Sequence, residues 1–187
     1  MTTANVSVGA PKTGGALYIA PTTATLPTAA DSALTGFSEL GFASEDGITN
    51  NNSTESTEIK AWGGQTVLIV GSEKSDEFGV TLIESLNPVT LKAVYGDSNV
   101  TVNDANHTIS LNVNGIAVPE KAFVIDMAMT GGALKRIVIP KGTISELGEI
   151  TYKDDEAIGY ELTIKALPDS NGNTHYEYIK LASPAST

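Results

Sequence analysis

Between Lys74 and Val100 the hydrophobic period of the chain changes once, in KSDEFGVTLIESLNPVTLKAVYGDSNV. Phe78, Val80 and Leu82 fall on one side while Glu77, Gly79, Thr81 and Ile83 fall on the other, the period of a strand with one buried face. Asn87 then suits a helix N-cap, and Pro88 occupies the first helical position, where no backbone N–H is needed. Val89 to Tyr95 sets Leu91, Val94 and Tyr95 on one face before Gly96 ends the turn. The stretch predicts a strand from about Asp76 followed by a short amphipathic helix over 88–95.

No other segment has a convincing helical period. Short strands are expected at Ala16–Ala20, Phe37–Phe42, Thr54–Trp62, Val67–Val70 with Gly71 at its end, and twice between Val100 and Asn114 around a turn at Asp104, Ala105 and Asn106. Lys121–Thr130 alternates as a buried strand with one charged intruder, Asp126. Gly131-Gly132 and Pro140-Lys141-Gly142 read as turns around Leu134–Ile139, and Thr143–Tyr152 follows. Tyr160, Leu162 and Ile164 alternate with Glu161, Thr163 and Lys165; the turn Pro168–Asn173 leads to a last strand, His175–Leu181. About ten strands against one helix predict an all-β fold, an antiparallel sandwich or barrel with one short flanking helix.

A chain of 187 residues that is 41% hydrophobic can bury one core, so a single domain over 1–187 is expected. Within it, residues 1–33 form a Thr-, Ala- and Pro-rich arm, 44–64 a polar extension, and 181–187 a short tail. The amino terminus lacks the basic start and apolar core of a signal peptide, and no apolar run approaches a membrane span; synthesis in the cytoplasm and no membrane association are expected.

The chain has no cysteine, which removes disulfides, thiolate metal sites and a thiol nucleophile. It has 22 acidic and 11 basic residues, a formal charge of −11, and Arg136 is its one arginine. Phosphate neutralisation supplies most of the affinity of a nucleic-acid binder, so this balance argues against gripping DNA. His107 and His175 both fall beside turns, far apart in sequence, and read as solvated loop residues without a serine to activate. Asp154, Asp155 and Glu156 are consecutive and lack the spaced ligands and glycine of a calcium loop, so they read as a solvated loop, as does the turn Asp169–Asn173. The glycine pairs at 14–15, 63–64 and 131–132 lack phosphate-loop spacing. No catalytic residue, metal site or cofactor is expected, and the chain is not expected to be an enzyme.

Three stretches carry a family resemblance: GFASEDGI from Gly41, EIKAWGG from Glu58, and ESLNP through LKAVYGDSNV. Across Gly36 to Val100 the chain resembles the major tail tube proteins of long non-contractile bacteriophage tails. That resemblance implies a β-sandwich-like subunit with a flanking helix, assembled into hexameric rings that stack into a tube for genome delivery. It implies as partners more copies of the same chain, a tape-measure protein, and terminator and tail-tip proteins, with DNA passing through but not bound. The location would be the virion tail.

Within this picture Glu45, Asp46, Glu55, Glu58, Glu73, Asp76 and Glu77 are candidate acids for the lumen or an interface. Six copies would carry a formal charge of about −66, a field that repels phosphate at short range even in salt. Trp62 is either a core or an interface anchor, with the interface favoured. The other class that the composition allows is an Ig-like decoration or adhesion module on a virion or cell surface.

Overall fold

The computed structural model describes residues 5–12 and 15–182, except for the side chains of Ser72 and Glu73. Its strands are β1 (Gly9–Pro11), β2 (Leu17–Pro21), β3 (Ser38–Glu39), β4 (Ala43–Lys60), β5 (Thr66–Leu82), β6 (Val100–Asn103), β7 (Thr108–Leu111), β8 (Lys121–Met129), β9 (Leu134–Leu147), β10 (Tyr160–Ala166) and β11 (Tyr176–Lys180). The α-helix, α1, is Pro88–Tyr95, as the Asn-Pro cap predicts. The fold is all-β and antiparallel with a short helix, as expected.

Nine strands form one hydrogen-bonded sheet with the path β3-β2-β8-β9-β10-β5-β4; β1 adds to β8 and β11 to β9. The two ends of that path, β3 and β4, are neighbours in sequence, separated only by residues 40–42. Four Cα steps span at most about 15 Å, so the sheet must curl until its edges nearly meet. The concave face holds the main core: Leu17 and Ile19 of β2, Phe78, Val80 and Leu82 of β5, Phe123 and Ile125 of β8, Ile137 and Ile139 of β9, and Leu162 and Ile164 of β10. Helix α1 closes this core with Leu91 and Val94.

The bend of the sheet falls in β9. Its first half pairs with β8 and β11, its second with β10. Pro140-Lys141-Gly142, read from sequence as a turn, is strand. The β8 register slips beside it, passing from Phe123↔Ile139 to Lys121↔Gly142, and an interrupted ladder tolerates a residue without an N–H. Gly142 also sits close against Phe123: a Cβ there would stand 3.0 Å from the ring.

Two further boundaries moved. Gly71 does not end a strand; β5 runs from Thr66 to Leu82, and Gly71, at φ 59°, takes up a bulge opposite Ser56 and Thr57. Phe37–Phe42 contributes only the two residues of β3 before Gly41 turns the chain at φ 78°. Much of the expected amino-terminal arm is built into the chain's own fold: β1 pairs with β8, β2 lies between β3 and β8, and Ala16, Ala20 and Ala30 are buried.

Asp126, the charged intruder in β8, is buried and answered by the chain's one arginine. Arg136 lies directly opposite it on β9 and donates from Nε to Oδ1 (2.5 Å) and from Nη2 to Oδ2 (2.7 Å). Nη1 donates to the carbonyls of Ala29 (3.0 Å) and Ser32 (2.7 Å), which pins the 22–33 segment over this face. A buried charge pair holds only when its remaining donors are also satisfied, as here.

Candidate assembly surfaces

β10 pairs with β5 only from Glu77 to Leu82. Beyond that point β4 and β5 pair with each other alone, from Asn52↔Asp76 out to Lys60↔Thr66. Nine residues of β4 against eleven of β5 make a ribbon about 30 Å long. An isolated two-stranded ribbon is marginal in water. This one carries exposed apolar side chains at its end: Ile59, Trp62, Val67, Leu68, Ile69 and Val70, with Trp62 fully exposed. Consecutive strand residues point to opposite faces, so the run 67–70 makes both faces of the ribbon apolar. That is the pattern of a strand meant to be covered on both sides, and among the described residues nothing covers it.

The root of the ribbon is clamped by Asp76, which is 1% exposed. Asn50 Nδ2 donates to its Oδ1 at 2.9 Å, Thr174 Oγ1 donates to its Oδ2 at 2.5 Å, and His175 Nδ1 lies 2.5 Å from the same oxygen. Burial alone would push this carboxyl up, but the hydrogen bonds from Thr174, Asn50 and His175 and the imidazole charge outweigh it and hold it below the usual range. Asp76 therefore faces no solvent surface, and the sequence reading of it as a lumen or interface acid is corrected. Its parity with Phe78 and Val80 already places it on the core side. His175 is likewise no solvated loop residue; its ring packs edge-on against Phe78 at 5.4 Å.

A second surface is the outer face of the same sheet. Glu161, Thr163 and Lys165 of β10 stand beside Thr81, Gly79 and Glu77 of β5, and Thr49 and Asn51 of β4 continue the rows. Glu146 joins from β9 opposite Thr163. Glu77 is braced by Ser75 Oγ (3.0 Å) and Lys165 (4.0 Å). At one end of this face Glu45 and Asp46 line a cleft with Glu149, Glu156 and Glu161. The acids gathered here come from four separate parts of the chain, which is why spacing did not show them. Glu55 and Glu58 instead lie exposed on the ribbon, and the register sets Glu55 opposite Glu73. Asp154 and Asp155 are exposed in a loop.

The β6–β7 hairpin is a separate two-stranded sheet. Asn99, just before β6, donates from Nδ2 to the Tyr95 carbonyl at the end of α1 (2.7 Å) and exchanges amide hydrogen bonds with Asn114 beyond β7, Asn114 Nδ2 to Asn99 Oδ1 (2.8 Å) and Asn99 Nδ2 to Asn114 Oδ1 (3.3 Å). Val113 and Ile116 beyond it are exposed. Among the described residues, no helix is long and apolar enough to cross a membrane.

A strand pair that reaches past the body and ends in a tip apolar on both faces is an edge suited to being covered by a neighbouring chain. The family model described as phage tail tube protein matches residues 1–187, and the chain belongs to that family, a component of the virion tail that assembles with other tail proteins. No curated protein matches the chain.

Proposed function

We propose that this chain forms hexameric rings that stack into the tail tube and conduct the genome during delivery. The observation that carries this reading is the free β4–β5 ribbon, which has no further partner among the described residues and apolar residues on both faces of its tip. The uncovered outer face of β9, β10, β5 and β4 lines the bore. Its Thr, Asn, Gly and Glu residues, with Lys165 the cation among those named, leave a net negative charge, so phosphate is repelled and DNA slides without being held. The one arginine is spent inside the fold on Asp126, in keeping with a conduit that does not grip DNA. Glu77 belongs to the lumen in this reading, Glu45 and Asp46 stand at its edge where β4 begins, and Glu55, Glu58 and Trp62 belong to contacts between copies; Glu73 goes with Glu55 by register.

The arm ahead of β1 and the tail 181–187, which lie largely outside the described residues, add contacts within and between rings. The subunit is made in the host cytoplasm; a tape-measure protein fills the bore before DNA does, and terminator and tip proteins bind the tube ends. Negative-stain electron microscopy over a concentration series, with light scattering for mass, tests the reading. Six-fold rings or tubes are expected. A chain that stays monomeric at high concentration and also with its tail-tip complex would overturn it in favour of a decoration or adhesion module.

A further inference from the structure

A cleft of about 510 Å³ opens where β4 begins. Its walls include Ala16, Ile48 and Met127, and Phe42 stands at its rim with 60% of its surface exposed. Phe42 is held there by built structure. Gly41 turns at φ 78°, Glu84 Oε1 accepts the Phe42 N–H at 3.0 Å, and the Phe42 carbonyl accepts the N–H of Ile83 at 3.0 Å. Glu84 is itself fixed by Asn87, the helix cap, through Nδ2 at 2.9 Å. An aromatic ring fixed in the open beside an apolar cleft is half of a contact.

The other half is on the same strand. β4 has the cleft at its first residues and the Trp62 tip just past its last, 18 residues on. At about 3.3 Å per residue the two lie on the order of 55 Å apart, so no copy can fill its own cleft. The charges match as well. Glu45 and Asp46 line the cleft, while Lys60 at the tip has only a 3.8 Å approach to Glu58. Lys12, next to Pro11 in the cleft wall, is half-exposed and stands 3.8 Å from Asp126, a loose pair that leaves it able to reach Glu58 in exchange.

We propose that the Trp62 tip of one copy seats in the Phe42 cleft of another, joining copies head to tail. This rests on the tube reading and names the acceptor for its ribbon. Because tip and cleft are different patches, the contact is heterologous: each copy offers a free tip and a free cleft after binding, so the array grows without closing on a pair. The length of β4 then sets the axial offset between joined copies.

The chain's lack of cysteine allows a direct test. Ala61→Cys keeps Trp62, and Ser44→Cys keeps Phe42. Under mild oxidation a mixture of the two single variants is expected to give a disulfide-linked heterodimer, each variant alone no crosslink, and the double variant a ladder of multimers. Six-fold tubes without that crosslink would overturn the docking and leave the tube reading standing. A ladder from a chain that never forms six-fold rings would keep the docking and overturn the ring reading. As a second measure, Trp62→Ala, an exposed site that does not bear on folding, is expected to raise the concentration for assembly by about tenfold or more. An unchanged onset would count against the docking.

Discussion

His175 Nδ1 lies 2.5 Å from Asp76 Oδ2, and this contact joins the loop before β11 to the root of the projecting ribbon. With Thr174 and Asn50 it satisfies a carboxylate that is otherwise out of water. The folded-state pKa of Asp76 is depressed, so its contribution to stability is present above the unfolded value near ~3.9 and is lost as pH falls through the folded value. Thermal melts of wild type and Asp76→Asn are expected to differ at neutral pH and to converge as pH falls below the unfolded value and through the depressed folded-state one. A gap that persisted unchanged at pH 2 would show that the charge of Asp76 is not what the site uses.

Arg136→Met leaves the Asp126 carboxylate buried without its partner and frees the carbonyls of Ala29 and Ser32. The expected loss is about 3–5 kcal/mol by denaturant unfolding. The double variant Asp126→Leu with Arg136→Met is expected to recover most of it, because two apolar groups of similar size need no compensation. A double variant no better than the single would locate the cost in the 22–33 segment instead.

Gly41→Ala would place a Cβ 2.2 Å from the Glu84 carboxyl at a φ of 78°. Glu84 must then move, which releases both the Phe42 N–H and the Asn87 cap. A loss of about 1–3 kcal/mol is expected. Asn87→Ala, which removes both the cap to Val89 and the hydrogen bond to Glu84, is expected to cost about 1–2 kcal/mol.

Replacing residues 57–70 with a two-residue Asn-Gly turn removes the apolar tip and leaves every core residue in place. The shortened chain is expected to melt within a few degrees of wild type and to stay monomeric where the full chain assembles. Scanning calorimetry and light scattering measure the two separately; a collapse of the fold would contradict the ribbon's independence from the core.

Changing Glu77, Glu146 and Glu161 to Gln on the outer face is expected to alter genome ejection or assembly, while the free wild-type subunit shows no tight DNA binding at moderate salt. Gel-shift titration across salt concentrations checks the second part. Tight binding there would sink the proposal that this face is a passive bore.

The local rules that sequence carries were enough for much of the fold. The alternation Phe78, Val80, Leu82 and the Asn87-Pro88 cap specify a strand and a helix from residues within a few positions of one another, and both appear at the expected places. The same parity, extended one step, would have put Asp76 inside. What only the tertiary structure decided depends on residues distant in sequence. Pro140 looked like a turn because nothing local shows that β9 trades β11 for β10 there. Arg136 and Asp126 meet across a ladder, and Thr174 and His175 reach Asp76 from almost a hundred positions away. Val67–Val70 reads as core by composition, yet it stands in solvent, because burial depends on whether a neighbouring strand is there and the sheet of this one chain stops at Glu77.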